Sequence, residues 1–219
     1  IGDTLAATYG CMGALAALHH RSKTGEGQIV DSALYEAVLQ VMESTVADYS
    51  ASGTKRRRTG STLPGIAPSN VYPCKDGEYL IGANQDGVFA RLAAAMGRPE
   101  LASDERYATH RARGVRQEEL DALIGEWTAT LSIEELEAKM VEAGVPAGRV
   151  FDAEEMLSDP HFAARDALVT VPDAELGEIR MQGVFPKLSG TPSSVRRPAP
   201  LVVGQDTDEV LKRWLGREG

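Results

Sequence analysis

A chain of 219 residues with 42% hydrophobic content is long enough to bury one sizeable core or two small ones. Its formal net charge of -9 argues against nucleic-acid binding, which needs a basic face. Two cysteines are too few for a disulfide framework and fit a reducing cytoplasm, and four histidines with no cysteine or carboxylate at ligand spacing argue against a metal site.

The chain opens with Asp3 directly before an apolar run, and from Leu5 to Leu18 nearly every residue is Leu, Ala, Gly, Met, Cys or Tyr. A helix apolar on all sides is one buried in a core. The run is shorter than the roughly 20 residues a bilayer span needs and lacks the basic front and cleavage site of a signal peptide. The start therefore reads as the interior of a larger protein, cut or processed. The helix is expected from Asp3 to about Arg21, with the glycines of TGEG (residues 24–27) as its stop.

A short strand is expected at Gln28-Ile29-Val30, followed by Asp31 and Ser32 as N-cap candidates. Leu34, Val38, Val41, Met42, Thr45, Val46 and Tyr49 repeat at three and four and predict one helix to about Ala51. Residues 50–70 are rich in Gly, Ser and Pro and carry the dense basic run Lys55 to Arg58, which reads either as a solvated loop or as an anion contact.

Beyond this boundary the pattern changes. VYPC, KDGE and YLIGA form a hairpin signal, with Asp76-Gly77 suited to a tight turn. Short helices follow around Phe89 to Met96, closed by Gly97 and Pro99, and around Leu120 to Trp127. Ser132 with Glu135, and Asp152 with Glu155, are capping-box signatures; the first helix ends at Gly144 before Pro146. Residues 168–171 and 179–185 read as strands, 189–200 as a second linker, and 206–215 as an amphipathic helix.

Asp3 is the sharpest chemical candidate. A carboxylate at a helix start is either a simple N-cap or, held ionised by the helix dipole, a nucleophile toward an activated acyl group. TGSTLPG (residues 59–65) is either a linker or a glycine-bearing anion nest, and it lacks the ending of a nucleotide P-loop. His19 and His20 read as surface residues complementing the helix end.

GD before an Ala/Gly-rich helix, ALAALHHRSKTGEGQIVDSALYEAVL, PSNVYPCKDGEYLIGA, AMGRPEL, GVPAGRV and SDPHFAARD together resemble the family III CoA-transferases, over essentially the whole chain. The match is to that family's C-terminal half; the half that supplies most of its CoA-binding surface has no counterpart here. The resemblance implies an α/β fold in which residues 1–52 and 166–219 contribute to a Rossmann-like large domain. Residues 53–70 are then a linker carrying an active-site loop, and 71–165 a small α+β domain. It implies a cytoplasmic, interlocked homodimer, with neither nucleic acid nor membrane as partner.

It further implies a CoA-transferase that moves CoA from an acyl-CoA to a free carboxylic acid, with Asp3 as the catalytic nucleophile passing through an acyl anhydride and an aspartyl-CoA thioester. Gly60, Ser61, Thr62, Leu63 and Gly65 become substrate-binding residues. Coenzyme A is a co-substrate, no cofactor is tightly bound and no metal is involved. TGSTLPG lacks the consecutive glycines of formyl-CoA transferase, which points away from formate or oxalate; dicarboxylic acids of the succinate type are the expected acceptors, with Arg56 to Arg58 as their carboxylate partners. Two other readings stand beside this one: an acyl-CoA racemase using Asp3 as a base, and an inactive fragment or subunit that needs the missing half.

Overall fold

The structure is a computed structural model that describes residues 1–197 and 200–216; positions 198–199 of the expected second linker and 217–219 of the expected last segment lie outside the described residues. It divides into two compact units, residues 1–62 and 63–219.

The first unit holds three helices: α1 (Gly2–Thr24), α2 (Leu34–Gln40) and α3 (Thr45–Ser52). A stripe of small residues on α1 lets the following segment lie against it. Cβ atoms added at Gly2, Gly10 and Gly13 would meet Val38 at 3.7 Å, Ser32 at 3.8 Å and Val30 at 2.7 Å. Ser32 Oγ also donates to the Ala6 carbonyl at 3.1 Å. Residues 28–30 therefore follow α1 rather than a sheet, and the expected strand is absent because no described strand runs beside it.

The single helix expected to Ala51 is two. Glu43 takes φ 52°, Thr45 Oγ1 donates to the Met42 carbonyl and Ser44 Oγ to Asp48, so local side-chain bonds compete with the helical ladder and break it. Within this chain alone the first helix is not covered. No residue of α1 is buried, with Met12, Leu15 and Leu18 at 59%, 62% and 57% exposure, and Ala37 is the one buried residue among positions 1–62.

The second unit is built on a three-stranded antiparallel sheet, β1 (Ser69–Cys74), β2 (Gly77–Gly82) and β3 (Ala147–Arg149), in the order β1-β2-β3. Cys74 pairs with Gly77, so Lys75 and Asp76 alone turn the first hairpin, and Gly77 supplies the positive φ of 156°. Along β2 alternate residues Tyr79 and Ile81 are buried, as the period of a strand requires. They join Tyr72 under α4 (Asp86–Ala95), α6 (Gln117–Thr128) and α7 (Ile133–Ala143), which contribute Phe89, Leu92, Leu120, Ile124, Leu136 and Met140 to one core.

A 3-10 turn (Pro99–Ala102) and the short α5 (His110–Val115) link α4 to α6. Both capping boxes form as expected, Ser132 with Glu135 at the start of α7 and Asp152 with Glu155 at the start of α8 (Ala153–Ser158). Gly97 and Gly144 close their helices at φ 72° and 62°. The hairpin turn is tied to α7 by a bond from the Ile133 amide to Asp76 at 2.8 Å. The rest comprises α9 (Pro160–Ala164), the hairpin of β4 (Leu168–Asp173) and β5 (Gly177–Gln182), and α10 (Thr207–Leu215). Among the described residues no helix is long and apolar enough to cross a membrane.

The carboxylates of this unit set its acid limit. The Arg106 guanidinium 2.7 Å away holds Asp104 down at about 2, Tyr107 lowers Glu119 through its hydroxyl, and the Ser132 amide lowers Glu135. A depressed folded value means stability that is present above the unfolded value and lost as pH falls through the folded one. Asp121 acts in the opposite sense, because burial raises it despite bonds from Tyr72 and Asn70. With four groups lowered, the fourth being Asp86 beside the Arg113 guanidinium, against one raised, the melting temperature is expected to drop as pH falls from about 4 toward about 2. Asp104→Asn should flatten part of that drop; an unchanged pH profile of melting would show that the Arg106 pair does not set it.

Candidate functional site

Asp3 stands in the first turn of α1, with an exposed carboxylate. It is not the N-cap: that place is taken by Ile1, and no side chain caps the helix. The simple-cap reading is therefore displaced. The unsatisfied amides of a helix start favour negative charge nearby, and Asp3 is the one acidic residue in that turn. Val38 of α2 reaches the α1 start at Gly2, so the glycine beside Asp3 is part of the α1–α2 contact.

The glycine-bearing loop is two structures in succession. Residues 59–62 close a turn: the Thr62 amide donates to the Thr59 carbonyl at 3.3 Å, and each threonine hydroxyl donates to the other's carbonyl, at 2.7 and 2.8 Å. Gly60 takes φ 65° within it, a conformation that favours glycine. Ser61 completes this turn. Thereafter Leu63 bridges to Ile66, with Leu63 exposed, and Gly65 lies at φ 79°.

This second half is gripped by the α5–α6 junction. A Cβ on Gly114 would lie 2.3 Å from the Gly65 carbonyl oxygen, so the two backbones touch only because position 114 is glycine. The side chain of Gln117 binds three backbone groups of residues 63–66, and Arg113 Nε donates to the Ala67 carbonyl at 3.1 Å. Asp3 and Gly60, Ser61 and Thr62 belong to the first unit, Leu63 and Gly65 to the second.

The basic run is partly committed. Arg56 pairs with Asp48 at 2.9 Å and Glu43 at 3.7 Å, and its bond to Asp48, with the Ser44 hydroxyl that donates to the same carboxylate at 3.0 Å, holds Asp48 below the usual carboxylate range. Arg56 therefore does not offer its charge to a ligand as expected, whereas Arg57 and Arg58 are exposed. Among the described residues no three His, Cys, Asp or Glu side chains gather to hold a metal ion.

Sequence reasoning missed Arg113, Gly114 and Gln117. An isolated glycine inside a helical stretch, as at Gly114, usually marks a close packing contact and was the signal available.

A family model described as CoA-transferase family III matches residues 1–207. The chain is 53% identical over 217 residues to a succinyl-CoA–D-citramalate CoA-transferase of Chloroflexus aurantiacus, covering 99% of this chain and 54% of that protein. It is 38% identical over 219 residues to the beta subunit of a succinyl-CoA–L-malate CoA-transferase of the same organism, covering 99% and 54%. Among solved structures, a CAIB/BAIF family protein from Brucella suis superposes with a TM-score of 0.76 at 28% identity, covering 97% of this chain and 55% of that one. The chain thus spans about half the length of the relatives it matches.

Proposed function

The chain belongs to CoA-transferase family III, and from that premise we propose that it is part of an enzyme that moves CoA from succinyl-CoA to a 2-hydroxy dicarboxylic acid of the citramalate or malate type. The observation that carries this reading is the 53% identity over 99% of the chain to a succinyl-CoA–D-citramalate CoA-transferase. The whole enzyme is a cytoplasmic homodimer in this reading, with CoA as co-substrate. Residues 1–52 and 166–219 belong to its large domain, 53–70 form the loop segment and 71–165 the small domain.

Asp3 is the nucleophile. One carboxylate oxygen attacks the succinyl thioester carbon, the C–S bond breaks and CoA thiolate leaves, giving a mixed anhydride. The thiolate then attacks the Asp3 carbonyl of that anhydride, which frees succinate and leaves an aspartyl-CoA thioester. The acceptor carboxylate attacks this thioester, expelling thiolate and forming a second anhydride. Thiolate attack on the acceptor carbonyl releases the new acyl-CoA and restores the Asp3 carboxylate. Each attack builds negative charge on a carbonyl oxygen, which preorganised donors must meet. Gly60, Ser61, Thr62, Leu63 and Gly65 bind the acid in this reading, and the positive φ values of Gly60 and Gly65 let the loop's backbone turn.

The test is to incubate the complete protein with succinyl-CoA and a panel of free acids, following new acyl-CoA by mass. D-Citramalate and L-malate are expected to accept CoA, and formate and oxalate to fail. If no acid accepts CoA while the α-proton of a branched acyl-CoA exchanges with deuterated water, the transferase reading is replaced by racemisation.

A further inference from the structure

Gln117 opens α6 immediately after the bend at Arg116, and its side chain reaches back across the chain to residues 63–66. The Gly65 amide donates to its Oε1 at 3.1 Å, while its Nε2 donates to the Leu63 carbonyl at 3.2 Å and the Ile66 carbonyl at 3.4 Å. One acceptor faces one donor and one NH2 group faces two acceptors. Turning the amide over would set NH2 against N–H and oxygen against two carbonyls, so the donor pattern fixes both the side chain and the loop. No other neutral side chain of this reach carries that combination of groups.

Two further features converge on the same backbone. Gly65 is held at φ 79°, and Gly114 leaves room for its carbonyl oxygen, which would lie 2.3 Å from any Cβ added there. The loop's remaining bond here is the local one from the Ile66 amide to the Leu63 carbonyl at 3.1 Å. Among the described residues, the hydrogen bonds that tie residues 63–66 to α5 and α6 come from the Gln117 side chain, and the residues it holds include Leu63 and Gly65.

We propose that Gln117 is a positioning residue that sets the C-terminal root of the substrate loop, so that Leu63 and Gly65 meet the substrate acid in one fixed geometry. This inference rests on the substrate-binding reading of that loop. Gln117 acts through the backbone of that root. Because the bonds are made before substrate arrives, losing them weakens ground-state and transition-state binding alike, which raises KM more than it lowers kcat.

The experiment compares the complete protein with Gln117→Leu, which removes all three bonds, and Gln117→Glu. The second variant keeps length and the acceptor for Gly65 but turns oxygen lone pairs on two carbonyls. Three readouts are taken: the melting temperature, amide hydrogen exchange at Gly65 and Ile66, and the kinetics of CoA transfer. Both variants should melt close to the parent and exchange the two amides faster. The KM for the acceptor acid should rise about tenfold, as expected for one or two lost hydrogen bonds, with kcat lowered less than about threefold.

Faster exchange with unchanged kinetics would overturn the proposal, leaving Gln117 a structural clip. Unchanged exchange would overturn it as well, by showing that the loop root holds without this side chain. A parent protein that transfers no CoA would remove the functional reading itself, and that failure is seen before any variant is compared. Should Gln117→Leu not fold, Gln117→Glu decides alone by the same KM and exchange criteria.

Discussion

Replacing Arg113 by methionine is expected to destabilise the second unit by about 3–5 kcal/mol, the cost of breaking a buried, fully bonded charge. The guanidinium has 0% exposure, and each of its three nitrogens is hydrogen-bonded, through four of its five N–H groups. Nε donates to the Ala67 carbonyl at 3.1 Å, Nη1 to the Tyr107 carbonyl at 2.8 Å, and Nη2 to both the Asn84 carbonyl and Asp86 at 2.7 Å. The group also lies over the Phe89 ring at 4.7 Å. Methionine matches the stem and supplies none of these donors, so three backbone carbonyls lose their partner together; a buried acceptor left unpaired is the expensive case. For a domain of this size the loss corresponds to a fall in melting temperature of about 6–20 °C. Arg111→Met, at an exposed position one turn-face away, is the control and should move it by no more than a few degrees. Equal melting of the two variants would mean that Arg113 is not the post around which residues 67, 84, 86 and 107 are assembled.

Arg113 also marks where local reading stops. The capping boxes at Ser132 and Asp152, the glycine stops at Gly97 and Gly144 and the two-residue hairpin after Cys74 were legible because each is decided within four or five residues. The short β3 was not, since three residues, Ala147 to Arg149, become a strand only by pairing with β2, about seventy positions earlier. Residues 28–30 failed in the opposite way: Gln-Ile-Val has strand character, and among the described residues no strand lies beside it. The break between α2 and α3 turned on hydroxyl bonds of Ser44 and Thr45 that compete with the helix, which apolar spacing does not register. Of the candidate site, Asp3 and the loop glycines were readable as residue types at a helix start and in a turn. The clamp of Arg113, Gly114 and Gln117 was not, because nothing in ARGVRQEEL says which arginine is buried.

Asp3→Asn is expected to abolish CoA transfer in the complete protein, with a loss on the order of 10⁴-fold or more, as removal of a covalent nucleophile commonly gives. The carboxamide keeps the size of the side chain and has no anionic oxygen to attack a thioester, so neither the anhydride nor the aspartyl-CoA thioester can form. Intact mass after mixing with succinyl-CoA should show a CoA-bearing species in the parent and none in Asp3→Asn. Asp3→Glu separates charge from placement: it retains the nucleophile but moves it by one methylene, and a misplacement of that size costs on the order of 100-fold. The melting temperature provides the opposing check. Asp3 is exposed, lies inside the first turn and does not cap α1, so its replacement by Asn should barely alter stability. A large loss of activity at constant stability has a chemical cause, whereas retained activity in Asp3→Asn would return Asp3 to the role of a charge that merely suits a helix start.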